Sequence, residues 1–154
     1  MRIQLLLTGV LAMLSANVEA VDRGKVSEQY LCIGEQATGF SYDKKGKQWN
    51  SATFGNTSKY VVASSSTNSD NAFQITIVGD SFPQGWCKES FDSKGYLYCD
   101  MHWGDFRFNK ASGRFIKTYL FGYIDVGQER LGKGKITDEA TESPRMEIGK
   151  CSPF

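Results

Sequence analysis

The sequence predicts an all-β fold, a small antiparallel β-barrel or sandwich of about eight strands with two disulfides, and three observations carry that reading. Helical periodicity is scarce. Short runs of β-branched and aromatic residues recur at intervals of roughly 8 to 14 residues, each bounded by Gly, Asn, Asp, Ser or Lys clusters. The four cysteines are an even number, as a bridged framework requires. A chain of 154 residues, 40% hydrophobic and 23% charged, suits one folded domain. Closure into a barrel is the more economical arrangement, because it removes exposed strand edges.

Residues 1–20 read as a separate object. Met1 and Arg2 give a positive start, Ile3 to Leu14 an apolar stretch, and Val18-Glu19-Ala20 a small-residue ending, the three parts of a secretory signal peptide. The apolar run is about a dozen residues, short of the ~20 that a membrane-crossing helix needs. Cleavage after Ala20 leaves 21–154 as a single exported β domain, periplasmic or secreted. All three tryptophans, seven tyrosines and ten phenylalanines lie beyond that point.

The strands follow in order. Gln29 to Ile33 and Gly39 to Tyr42 precede a turn at Asp43-Lys44-Lys45-Gly46-Lys47, and Gln48 to Phe54 returns from it. Lys59 to Ser64 comes next, then a polar loop from Ser65 to Asn71. Ala72 to Val78 alternates cleanly, with Phe73, Ile75 and Ile77 on one face. Trp86 to Phe91 and Tyr96 to His102 form a hairpin. Asp105 to Asn109 and Arg114 to Ile124 form another across Lys110-Ala111-Ser112-Gly113. Phe115, Tyr119, Phe121 and Tyr123 share one face of that last strand, and Ile116, Leu120 and Ile124 share the other. A strand apolar on both sides is expected to be covered on both. Asp125 to Arg145, polar and free of aromatics, reads as an exposed loop with a short ordered piece at Lys133 to Ile136. Met146 to Cys151 is the final strand.

Four cysteines allow three pairings, and spacing favours one. Cys87 and Cys99 flank the turn signal Asp92-Ser93-Lys94-Gly95, which folds them to face each other. That leaves Cys32 to join Cys151. Such staples belong to an oxidising compartment. A zinc site needs Cys or His ligands at two- to four-residue separations, and no cysteine pair has that spacing, so no metal is expected. No cofactor is expected either, since phosphate-loop and dinucleotide fingerprints are absent. A formal charge of +1 supplies no field to hold nucleic acid, and no segment is long enough for a membrane span.

Candidate chemistry is sparse. Ile75-Thr76-Ile77-Val78-Gly79-Asp80-Ser81-Phe82 resembles the nucleophile block of GDS-type serine hydrolases, in which a serine at a strand end attacks an acyl carbon. The serine needs a base, and that family places a histidine three residues after an aspartate. The single histidine here, His102, has Cys99 at that position. The string therefore reads as a strand ending in a turn. His102 among Asp100, Trp103 and Asp105 reads as a hydrogen-bonded histidine, and Cys99 as a bridged sulfur. Lys44, Lys45 and Lys47 make a basic turn, and Arg107, Lys110, Arg114 and Lys117 a basic edge; cations on turns and strand edges ordinarily guard against edge pairing, and a contact surface for an acidic partner is the alternative reading.

The ordered pattern Cys32, Gly39-Phe40-x-Tyr42, Trp49, Phe54, Tyr60-Val61-Val62, Cys87, Cys99, Phe106-x-Phe108, Arg114-Phe115, Tyr119, Gly122-Tyr123 and Ile148-Gly149-Lys150-Cys151 resembles a group of small exported proteobacterial proteins of unassigned function. The resemblance implies export and brings no activity. Tyr30-Leu31-Cys32, with Ser112-Gly113-Arg114-Phe115 and Ser58-Lys59-Tyr60, is similar to periplasmic lysozyme inhibitors, small disulfide-bearing β-barrels.

These observations predict a non-enzymatic exported domain that binds a protein or a small apolar or envelope ligand. Trp103, Arg107, Arg114, Tyr119 and Tyr123 are the candidate contacts, because rings with a polar tip and arginines are enriched at recognition surfaces. Inhibition of a lysozyme-type muralytic enzyme is the first alternative, and a GDS-type serine hydrolase the second.

Overall fold

The computed structural model describes residues 28–55, 57–65, 70–123 and 142–154. The segment at 1–20, Ile124 and the piece at 133–136 lie outside the described residues. Among the described residues nine strands follow in order: β1 (Gln29–Asp43), β2 (Gln48–Phe54), β3 (Lys59–Ser64), β4 (Phe73–Ile77), β5 (Gly85–Cys87), β6 (Tyr96–Met101), β7 (Gly104–Asn109), β8 (Arg114–Tyr119) and β9 (Arg145–Pro153). Each pairs antiparallel with its neighbour in the sheet order β2-β1-β3-β4-β5-β6-β7-β8-β9, and β1 also pairs with β9. The sheet thus closes as an eight-stranded barrel, β1 with β3 to β9, and β2 is the one extra strand.

β1 is long because it serves two sets of neighbours. Its first part, Gln29 to Ile33, pairs with β3, and its last, Ala37 to Asp43, pairs with β2, while β9 runs along its other edge from Tyr30 to Gly39. The sequence suggested two separate strands here. A register shift between Gly34 and Gln36 joins them, inserting a bulge where the polar Gly-Glu-Gln stretch resembled a break. Gly34 also has to be a glycine, because a Cβ there would run into the Glu147 carboxylate.

Alternation sends one side of every strand inward. Cys32, Tyr60, Val62, Ile75, Cys87, Leu97, Phe106 and Phe108 are sealed from solvent, and Tyr30, Phe73, Cys99, Phe115 and Cys151 complete the core. The rings meet largely edge to face, Tyr60 on Phe106 and on Phe115 and Tyr30 on Phe108, whereas Phe106 stacks on Phe115. Side chains from β1 and from β3 to β9 thus meet in the barrel interior.

Two predicted strands end early. Trp86 to Phe91 keeps only Gly85–Cys87, since beyond Cys87 the chain bends away and Asp92 Oδ1 accepts from the amides of Lys94 and Tyr96 to build the turn. Phe91 still packs on the core from this loop. Arg114 to Ile124 stops at Tyr119, with Gly122 in the left-handed region at φ 109°. Nor is β8 covered on both faces: Phe115 points inward, whereas Ile116 is part-exposed and Leu120, just past the strand, is exposed. β8 is one stave of the wall.

Both disulfides form as spacing suggested, Cys32–Cys151 and Cys87–Cys99, and the described residues hold no free cysteine. Cys32 lies directly opposite Cys151 in the β1–β9 ladder, so this bridge fastens the seam at which the barrel closes. The bridges span 119 and 12 residues. Loop-closure entropy assigns them about 5 and about 3 kcal/mol respectively. Replacing Cys32 and Cys151 by alanine is therefore expected to lower the midpoint of thermal unfolding by several degrees more than replacing Cys87 and Cys99. Calorimetry showing equal or reversed shifts would contradict a structural role for the seam bridge.

Candidate functional site

Outward side chains of adjacent strands line up in rows fixed by the register. Tyr98 on β6 lies opposite Arg107 on β7, Arg107 opposite Ile116 on β8, and Ile116 opposite Ile148 on β9. One step toward the strand starts of β6 and β8, Tyr96, Asn109, Arg114, Lys150 and Ile33 form a second row. Between these rows runs a groove of roughly 330 Å³, lined chiefly by Tyr96, Tyr98, Arg107, Asn109, Arg114 and Ile116.

Its chemistry is aromatic and cationic. Tyr96 and Tyr98 stack with ring centroids 6.2 Å apart, and the Arg107 guanidinium lies 5.9 Å from the Tyr98 ring centre. Tyr98 is 55% exposed, and Ile33, Tyr96, Met146 and Ile148 on the same wall are exposed too. Among the described residues the ion pairs are Lys110 with Glu28 and Lys150 with Glu35, so neither Arg107 nor Arg114 is ion-paired, although Asp100 and Asp105 form the next outward row beside Tyr98 and Arg107. The turn between β7 and β8 sets the rim: Asn109 Oδ1 accepts from the Ser112 amide and Gly113 takes φ 65°.

Arg107 and Arg114 are thus brought together as candidate contacts, and Trp103, Tyr119 and Tyr123 are not. Those three lie toward the opposite end of the barrel. Trp103 packs edge-on to His102 and Phe121, Tyr119 donates its hydroxyl to Glu142, and Tyr123 meets Trp49, which in turn meets Tyr42 on the β1–β2 arm. The basic edge also divides. Lys110 is engaged with Glu28 and the Phe91 ring, and Lys117 points into the barrel opposite Phe106 and Glu147. Tyr96 and Tyr98 were missed, although their alternation with Leu97 and the bridged Cys99 signals that both face outward.

A polar cluster interrupts the core where β3, β8 and β9 meet. Glu147, 5% exposed, accepts from the Tyr60 hydroxyl at 2.7 Å and the Ser58 amide at 2.8 Å. The Lys117 amine lies 5.3 Å from the Tyr60 ring centre. Burial first, and then Glu147 holding its proton, push the Tyr60 phenol well above its usual range, against the opposing pull of Ser58 and Arg145. Burial lowers Lys117 below its ordinary 10.5, Glu147 opposes that shift and Arg145 adds to it.

Ser81 lies in the β4–β5 loop, at the same barrel end as His102, whose amide donates to the Gln84 carbonyl at 2.9 Å. The His102 ring turns edge-on to Trp103. Among the described residues no three His, Cys, Asp or Glu gather as a metal site would require, and no helix is long and apolar enough to cross a membrane. No family model, curated protein or solved structure matches the chain.

Two outcomes follow for the polar cluster. Glu147→Gln keeps the shape but turns an amide toward one of its two donors, and urea unfolding is expected to show a loss of about 2 kcal/mol. An unchanged midpoint would contradict the role given to the carboxylate. For Lys117 the folded pKa is depressed, so its contribution to stability is full above the unfolded value of 10.5 and falls as pH drops through the window below it. Lys117→Met is therefore expected to be more stable than the parent at neutral pH, with the gap closing as pH nears 10.5. A gap independent of pH would contradict the cost of burying the ammonium.

Proposed function

We propose that this chain is a non-enzymatic, exported binding domain that recognises a protein through the outer wall of β6 to β9. The observation that carries the reading is the grooved row of Tyr98, Arg107, Ile116 and Ile148, where exposed rings and aliphatics surround guanidiniums without carboxylate partners. Tyrosine and arginine combine large contact area with directed hydrogen bonds, which is why they dominate interface energetics. The cluster of buried rings and aliphatics inside the barrel favours this outer wall over the interior as the binding surface. Two disulfides suit an oxidising compartment, and with the signal-like residues 1–20 they support a periplasmic or secreted location.

A photoreactive amino acid at position 98, illuminated in the cells that make the protein, is expected to give a covalent adduct with one partner. The same probe at position 76, an outward position on β4, is expected to give none. Arg107→Ala should weaken the captured complex by roughly 30-fold or more, the scale of an interface hot spot. Equal adducts from both positions, or none from position 98, would remove the reading.

A second reading has one specific observation in its favour. The turn carrying Ser112-Gly113-Arg114-Phe115, the string similar to lysozyme inhibitors, forms the rim of this groove. A glycosidase cleft carries two carboxylates, which an exposed arginine on a tight turn can address. Micromolar domain would then slow a muralytic enzyme, and Arg114→Ala would relieve the inhibition. Undiminished hydrolysis in the presence of the oxidised domain would dismiss this alternative.

A further inference from the structure

We infer that the groove reads an extended acidic segment of its partner, with carboxylates at positions i and i+2 bound by Arg107 and Arg114 and the methylene stems of those acidic side chains lying against Tyr98 and Ile116. This rests on the proposed recognition face and adds the chemistry of what is recognised. The geometry supplies the spacing. Arg107 faces Ile116 and Arg114 faces Asn109, so the two arginines stand diagonally on neighbouring strands. Diagonal positions of an antiparallel pair lie about 7 to 8 Å apart. Alternate residues of an extended chain repeat every ~6.6 Å and point the same way. Carboxylates two residues apart therefore match the guanidiniums without distortion.

Charge points the same way. The nearby lysines are already held, Lys110 by Glu28 and Lys150 by Glu35, whereas the two arginines keep their donor forks uncommitted by carboxylates among the described residues. A guanidinium fork matches a carboxylate in a bidentate fashion that a lysine does not reproduce. Tyr98, beneath Arg107, holds one fork in place through its ring.

The aliphatic side chains decide between acidic polymers. Ile116 lines the groove, and Ile33 and Ile148 stand exposed on the strands beyond it. An anionic sugar chain would find polar partners at Asn109, Ser112 and the tyrosine hydroxyls, but over Ile116, Ile33 and Ile148 its hydroxyls would be desolvated without a donor or acceptor in return. An acidic peptide would place the methylene stems of its glutamates there instead. An acidic polypeptide is the better fit.

The test uses the full oxidised chain in nuclear magnetic resonance titrations. The probes are a blocked peptide Glu-Ile-Glu-Ile-Glu, its Gln and Lys counterparts, and a short oligogalacturonate. The acidic peptide is expected to shift amides on β6, β7 and β8 and to bind more weakly as salt rises. Arg107→Ala and Arg114→Ala should each raise Kd at least tenfold, with Arg107→Lys recovering only part. Both arginines are exposed, and amide spectra of the variants verify that the fold persists. Equal binding of the Gln peptide, tighter binding of the oligogalacturonate, binding outside the groove or no saturable binding would each overturn the inference. An adduct from position 98 with a partner lacking acidic segments would preserve the recognition face while overturning the acidic specificity.

Discussion

The pairing of the first strand with the last is the constraint on which the molecule depends. β1 meets β9 over most of its length, and Cys32 and Cys151 lie opposite each other within that ladder. Without this seam the remaining strands would form an open sheet with two edges and an inner face of rings turned to water. With it, every inward residue from Tyr30 to Cys151 finds neighbours on all sides. The second bridge acts more locally. It continues the short β5–β6 ladder by one position beyond Trp86 and Asp100, where β5 has only three residues to hold it.

Closure also determines which polar groups are enclosed. Glu147 follows the inward alternation of Gly149 and Cys151, so β9 carries a carboxylate into the barrel as a consequence of its register. The surroundings answer it with a phenol hydroxyl, a backbone amide and the space left by Gly34. The cost of burying the charge is offset by those donors and by its attraction to the Lys117 ammonium. The bulge beside Gly34 belongs to the same arrangement: it lets β1 pass the carboxylate and continue in pairing with β9.

How much of this was legible in the sequence depended on how local each signal was. Phe73 and Ile75, and Phe106 and Phe108, alternate against polar neighbours, and both strands have one wet face, so period two located them. The Asp92 to Gly95 turn made the Cys87–Cys99 pairing readable. Aromatic alternation misled at the end of β8, because Phe121 and Tyr123 continue the pattern through the turn around Gly122, after the strand has ended at Tyr119. Phe91 shows the converse, a core ring supplied from a bend. Arg107 and Arg114 stood out as cations, but grouping them with Tyr96 and Tyr98 requires the register of three strands at once, and the same register sends Lys117 inward.

The division between wall faces explains why an unpaired pair of arginines is tolerable here. Stability comes from the inward rings, the closed hydrogen-bond ladder and the two bridges, none of which uses Arg107 or Arg114. Exposed guanidiniums remain hydrated and add little to folding, favourable or otherwise. The outer wall is thus free to carry side chains chosen for contact. Its isoleucines and tyrosines would be equally dispensable to the core, yet Tyr96, Tyr98, Ile116 and Ile148 stand on β6, β8 and β9, on or beside the strands that bear the arginines. A wall shaped by solubility alone would scatter such residues among charged ones. Their concentration beside two available cations is what links this barrel's geometry to recognition.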